Sequence, residues 1–355
     1  MNGCAQLRPA IAVLLLLFAA SCDRGGQTAS GAPKQVRLGY FANLTHAQAV
    51  LGVSSGDFAK AVAPVPFSTK VFNAGPSLIE ALLAGEIDVA YVGPGPALNA
   101  QAKTHGQGIR VIAGAADNGV LIVARDGSGI NKLEDLKDRK LATPQHGNTQ
   151  DLAARHYLKD VLHQSDLSNV LPIANAEQSG MIGRGQIDAA WAPEPWGSFL
   201  VAKDAAHVVG EEKDLWPDKQ FTLTVVITTP DFLAAHPDVV EKLLRVHRWW
   251  TKRLLEQPAQ CVPQLDAALF ALTSKKFPAG VLPAALGRVK FSDEPLQETF
   301  QSLADWSAEL GFVNGKIDLT GLTDTTILRK LQQQGDSSQP RPQKEPGDAS
   351  RHPVG

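Results

Sequence analysis

The feature that most constrains this chain is an internal repeat. Leu83-Ala84-Gly85-Glu86-Ile87-Asp88-Val89-Ala90-Tyr91 returns one hundred positions later as Gly183-Arg184-Gly185-Gln186-Ile187-Asp188-Ala189-Ala190-Trp191. Each copy reads as a helix stopped by a glycine cap, an Ile-Asp turn and a short strand. The strands then run into proline-bearing loops, Gly93-Pro94-Gly95-Pro96 and Pro193-Glu194-Pro195-Trp196. Upstream, residues 38–46 and 141–149 both read as strand, polar loop and helix start. Two similar α/β lobes in tandem follow from this pattern.

Around the repeats, short β-type runs (36–40, 70–72, 89–92, 111–113, 121–124, 140–142, 170–173) alternate with helical stretches, the mark of an α/β fold. Residues 222–229, TLTVVITT, form a β-branched strand after the second copy. Helical patterns then continue past Trp250, with Pro237 at a first helical position. The simplest topology returns that strand to the first lobe. Lobe 1 is then 35–124 plus 226–331 and lobe 2 is 125–225, with two hinge crossings near 124–125 and 224–226. A chain of 355 residues suits two such lobes.

The ends read differently. Residues 1–21 have the form of an export signal, with Arg8 before an apolar run over 10–20. Eleven residues are too few to span a bilayer, which needs about 20. Ala19-Ala20-Ser21-Cys22 resembles a bacterial lipobox, which makes Cys22 a lipidation site; leucine is commoner where Ala19 stands, so ordinary signal cleavage is the other reading. Asp23 after a lipidated cysteine resembles a signal for retention in the inner membrane. Residues 22–34 form a linker, and 332–355, rich in Gln, Ser, Pro and charge, read as a disordered tail.

Charge and motifs exclude several classes. Lys+Arg 34 against Asp+Glu 36 gives a net charge of −2 without a basic stripe, which argues against nucleic acid as a partner. The three cysteines, Cys4, Cys22 and Cys261, are too few and scattered for a disulfide framework or a metal cluster. No His-Glu-x-x-His or Walker sequence is present. No cofactor is expected.

Several segments carry a family resemblance. They are Asn73-Ala74-Gly75-Pro76, Ile79-Glu80-Ala81-Leu82, Gly85-Glu86-Ile87-Asp88, Leu133-Glu134-Asp135-Leu136-Lys137-Asp138-Arg139-Lys140-Leu141-Ala142 and Gly147-Asn148-Thr149-Gln150-Asp151. In order and spacing they resemble the periplasmic substrate-binding proteins of ABC importers, in the nitrate/sulfonate/taurine branch and the aliphatic-sulfonate type above all. The resemblance implies a type II, Venus-flytrap fold that closes around a small anionic solute. It further implies delivery to a membrane permease and its ATPase, a periplasmic location and a monomer. A ligand sensor for a receptor kinase, or an enzyme of the pyrimidine-precursor type on the same fold, are the alternatives. The latter carry a cysteine-rich motif that this chain lacks.

Open α/β sheets bind ligands beyond the carboxyl ends of their strands, where helix starts present free N–H groups and partial positive charge. Two segments have this form, and they supply the candidates Tyr40, Asn43, Thr45 and His46, and Gln145, Gly147, Asn148 and Thr149. Neither contains Lys or Arg, so an anion would be held by dipoles and neutral donors, with His46 or His146 helping. The alternative for Asn43, Thr45, Asn148 and Thr149 is a helix cap serving the protein's own backbone, and for each histidine a surface or capping role. Gly93, Pro94 and Gly95 bring rigid backbone to the cleft, or form a structural turn. Trp191 and Trp196 can enclose the body of a ligand. Glu194 meets a ligand ammonium or braces the hinge. Trp249 and Trp250 read as core and rim.

Overall fold

The computed structural model describes residues 31–203 and 206–335. The segment expected to be an export signal, with Cys22, and all of the chain beyond 335 lie outside the described residues. Among the described residues no helix is long and apolar enough to cross a membrane.

The chain begins with β1 (Val36–Phe41), a 3-10 turn (Leu44–His46), α1 (Ala47–Ser54) and α2 (Asp57–Val62), and continues through β2 (Phe67–Phe72) and α3 (Gly75–Leu83). It goes on through β3 (Val89–Val92), α4 (Pro94–Lys103) and β4 (Arg110–Asn118). A second series follows: β5 (Val120–Arg125), β6 (Leu141–Thr143), α5 (Thr149–His156), β7 (Val170–Pro172) and α6 (Asn175–Gly183). It closes with β8 (Ala189–Pro193), α7 (Trp196–Lys203) and β9 (Ala206–Glu211). The remainder is β10 (Thr222–Thr228), α8 (Pro230–Ala235), α9 (Pro237–Glu256) and α10 (Pro258–Thr273). Then come α11 (Val281–Leu286), β11 (Val289–Phe291), α12 (Glu298–Glu309) and α13 (Thr326–Gln333).

These strands form two sheets, ordered β11-β4-β10-β3-β1-β2 and β7-β6-β8-β5-β9. The repeat is visible in both. In each, three parallel strands (β2-β1-β3 and β7-β6-β8) meet an antiparallel strand, β10 or β5, that arrives from the other sheet. The matching Gly85 and Gly185 sit at positive φ and close their helices identically. Gly85 N–H donates to Leu82 and Glu86 N–H to Ala81, while Gly185 and Gln186 donate to Ile182 and Met181. The matching aspartates then lock strand to strand. Asp88 accepts from the Arg37 main chain at 2.8 Å and from its guanidinium at 2.6 Å. Asp188 accepts from the Lys140 main chain at 3.1 Å and from the Arg125 guanidinium at 3.3 Å.

Both faces of the first sheet are covered, and successive residues serve opposite cores. Leu38, Tyr40, Val89, Tyr91 and Val226 pack with α1, α9 and α10, whereas Ala90, Val92, Val225 and Ile227 pack with α3, α4 and α12. Each fully buried large side chain there contributes roughly 1.5–3 kcal/mol.

The structure moves the crossings away from the sequence-predicted places. Residues 120–124 pair with β8 and β9, so the first crossing is at Asn118-Gly119, both at positive φ. Residues 222–225 pair with β3 and β4, so the second crossing lies between Glu211 and Thr222. An apolar strand does not show which sheet it will join; the turn-forming Asn-Gly step was the available signal. The folded part also runs past 331, because α13 continues to Gln333 and the Gln332 amide donates to Glu294 at 2.8 Å.

Candidate functional site

The carboxyl ends of the six parallel strands border one pocket with about 350 Å3 of empty space, its mouth included. From the first sheet come Phe41, Asn43, Thr45 and His46 after β1, Asn73, Ala74 and Gly75 after β2, and Gly93 and Pro96 after β3. Leu223 and Thr224 of β10 join them, because β10 runs antiparallel to β3 with Val225 opposite Val92. The second sheet supplies Pro144, Asn148, Thr149 and Gln150 after β6, Asn175 after β7, and Pro193 at the end of β8.

Helix starts make up most of this wall. The first-turn N–H groups of a helix have no intrahelical acceptor. At α3 and α6 the capping positions are Ala74 and Ala174, whose side chains hold no acceptor, which leaves the Gly75 and Asn175 N–H groups without a side-chain cap; Pro76 has no N–H, and Glu177 N–H donates to the Ala174 carbonyl at 2.9 Å. The start of α5 is arranged differently. Asn148 caps it, its Oδ1 accepting from Asp151 N–H at 2.8 Å, while its amide donates to Gln150 at 2.9 Å. Below that loop the fully buried Asp151 accepts from Thr143, from Gly147 N–H and from Arg155 at 2.8, 2.9 and 2.9 Å. This carboxylate fixes the loop's shape, and Gly147, at φ 77°, makes the required turn.

The start of α4 is where the two halves touch. Pro94 and Pro96 carry no N–H, and Gly95 N–H donates to the Thr149 hydroxyl at 3.1 Å. A Cβ on Gly93 would lie 2.3 Å from Thr149 Oγ1, and one on Gly95 would lie 3.1 Å from the Thr149 Cα. The glycines allow the α4 and α5 starts to meet.

Among the described residues no Lys, Arg, Asp or Glu lines the pocket. The titratable group among the described lining residues, His46, is buried, and burial lowers its pKa to about 3. His46 Nδ1 accepts from Phe41 N–H at 3.3 Å, so the neutral ring carries its proton on Nε2. Two further polar atoms of the wall, Thr224 Oγ1 and Asn175 Oδ1, are buried without an internal partner. Leaving a buried polar group unpaired costs about 1–3 kcal/mol; the Thr224 hydroxyl can recover this by donating to a bound anion, whereas Asn175 Oδ1 only accepts and calls for a donor on the solute.

Of the residues singled out from sequence, Asn43, Thr45, His46, Gly93, Asn148 and Thr149 line the pocket. Pro94 and Gly95 stand behind the wall in the α4 start, and Gln145, half-buried, and Gly147 lie in the loop before α5. His146 lies outside the pocket wall, exposed beside Phe312 and 3.4 Å from Asp151. Four side chains are engaged elsewhere. Tyr40 is buried in the first core. Trp191 is fully buried and donates its indole N–H to Glu212 at 2.6 Å. Trp196 packs on Phe199 and Phe277 and donates to Asn43 Oδ1 at 2.8 Å. Glu194 is fully buried, accepts from the Ser198 hydroxyl and N–H at 2.8 and 3.1 Å, and lies 3.5 Å from Arg288. Glu194 therefore braces one half against the other, and the tryptophans are core. Trp250 is buried and Trp249 half-buried.

Wall residues that sequence reasoning missed include Gly75, Asn175 and Thr224. The motif Asn73-Ala74-Gly75-Pro76 was a signal for the first, and the equivalence of β2 and β7 points to the second. Thr224 required knowing that β10 lies beside β3.

Two sheets whose parallel strand ends share one cleft, joined by two crossings, define the periplasmic-binding-protein fold. Within it, the chain belongs to the NMT1-like family, whose model matches residues 29–260. It is 26% identical over 175 residues to the taurine-binding periplasmic protein of Escherichia coli K12, covering 48% of this chain and 52% of that one. The chain spans about half the length of the curated relatives it matches. Among solved structures it shares its fold with the alkanesulfonate-binding protein of Xanthomonas axonopodis pv. citri bound to MOPS. That match has a TM-score of 0.69 and 20% identity, covering 83% of this chain and 99% of the other. The periplasmic nitrate-binding protein of Synechocystis PCC 6803 gives a TM-score of 0.71 and 14% identity, covering 85% and 89%.

Proposed function

We propose that this chain is the extracytoplasmic solute-binding component of an ABC importer. It captures a small anion between two lobes, each built on one sheet, and delivers it to a membrane permease and its ATPase. The observation that carries this reading is a pocket without formal charge, walled by helix starts from both sheets and holding unpaired polar atoms. Neutral donors suit a transported anion, since a bidentate arginine would hold it more tightly and release it less readily. The reading is of a binding protein rather than an enzyme, acting as a monomer and anchored through lipid at Cys22.

The ligand is a simple monoanion such as an alkanesulfonate or nitrate. A zwitterion such as taurine is less favoured, because Glu194 is buried on Ser198 away from the wall and leaves its ammonium only neutral acceptors such as Asn175 Oδ1. Thermal melts with methanesulfonate, nitrate and taurine test this. A ligand at 100 times its Kd stabilises by roughly 2.7 kcal/mol, a shift of several degrees. Sulfonate or nitrate should raise the melt and taurine should do so less. Melts unmoved by every small anion would contradict the reading.

A further inference from the structure

Away from the pocket, α12 packs against α4 and α5, and a second set of polar groups lies across that contact. His156 ends α5, Asp160 follows in a π-helical turn (Tyr157–Val161), and Glu309 ends α12. Their ligand atoms lie within 4.8 Å of one another. His156 Nδ1 is buried and pairs with Asp160 Oδ2 at 2.9 Å. The imidazole stacks on Trp306 of α12, ring centroids 4.2 Å apart and planes 14° from parallel, so its orientation is set by packing. Lys159, beside it in sequence, donates to the Glu309 main-chain oxygen at 2.8 Å and ties the turn to α12. The Glu309 carboxylate has no ion pair among the described residues. Two carboxylates and one imidazole nitrogen thus converge on one point.

We propose that His156, Asp160 and Glu309 bind a divalent cation of the zinc class across the two halves of the protein. One imidazole nitrogen and two carboxylate oxygens suit zinc, which takes three protein ligands and water in tetrahedral geometry. Magnesium and calcium favour oxygen-only sets. Metal–ligand bonds of about 2.0–2.2 Å require the carboxylates to draw in slightly, which the exposed end of α12 permits. His156 and Asp160 stand with the second sheet and Glu309 with the first, so the complete site exists only while the two halves are together. The proposal goes beyond solute capture and holds whether or not the pocket takes an anion.

Calorimetric titration of zinc into the chelator-treated full chain, without any anion, tests it. One saturating site is expected, at least about tenfold weaker in both His156→Ala and Glu309→Gln, with magnesium silent. Glu309→Gln changes an exposed helix end and keeps the test intact should His156→Ala fail to fold. Absence of zinc binding, equal affinity in Glu309→Gln, or equal binding of magnesium would overturn the proposal.

Discussion

Burial decides what several individual side chains can do. Glu212 is fully buried and accepts from the indoles of Trp191 and Trp216 at 2.6 and 3.2 Å, and burial raises its pKa from 4.5 to about 7. The folded protein therefore keeps a proton that the unfolded chain releases. The stability this adds is fully present below about pH 4.5 and is lost as pH rises through about 7. At one pKa unit per 1.36 kcal/mol the effect is at most ~3 kcal/mol, or several degrees of melting temperature. Glu212→Gln stays neutral, so its melting temperature relative to wild type should climb between about pH 5 and 8. A difference constant with pH would remove the proton from Glu212. The same local facts explain which site residues were legible. Asn148, Thr149 and His46 stand at helix starts, and a helix start is written in the sequence as polar residues after an apolar strand. Trp191 and Tyr40 look equally suited to a cleft, but both sit inside strands, opposite Ile122 and Val71, where side chains point to a sheet face. Residue type indicates what a side chain can bind; strand register decides whether it reaches the ligand.

Among elements, the contact between the α4 and α5 starts matters most. Gly93 adopts φ −69°, ψ 149°, a conformation open to any residue, so its requirement is space and not backbone freedom. Gly93→Ala places a methyl against the Thr149 hydroxyl and should weaken anion binding about tenfold or more while the fold persists. Adding Thr149→Ala removes the obstructing oxygen, and the double variant should bind more tightly than Gly93→Ala alone. Calorimetry on wild type and the two variants reads this out; equal affinity in Gly93→Ala and wild type would show that the two helix starts need not meet. The helix starts themselves were visible from sequence through the glycine caps and the strand–loop–helix order. Their meeting was not, because nothing local in Gly93-Pro94-Gly95-Pro96 marks it as a helix start packed on residues fifty positions away.

Across the whole molecule, the hundred-residue repeat becomes two sheets with equivalent parallel cores, and the exchange of β5 and β10 makes them one binding unit. The alternation of elements and the repeat were enough to expect this. The exchange itself shifted the crossings by several residues, since a strand's choice of sheet depends on edges formed elsewhere in the chain. Joined this way, the pocket draws helix starts from both sheets, and the central claim is that a small anion is held by main-chain N–H groups from both at once. Amide NMR during titration with methanesulfonate or nitrate tests that claim most directly. Gly75 in the first half and Thr149 and Asn175 in the second should show the largest shifts, all on a single binding curve. Shifts confined to one half, or saturable binding that leaves these three amides unmoved, would contradict it.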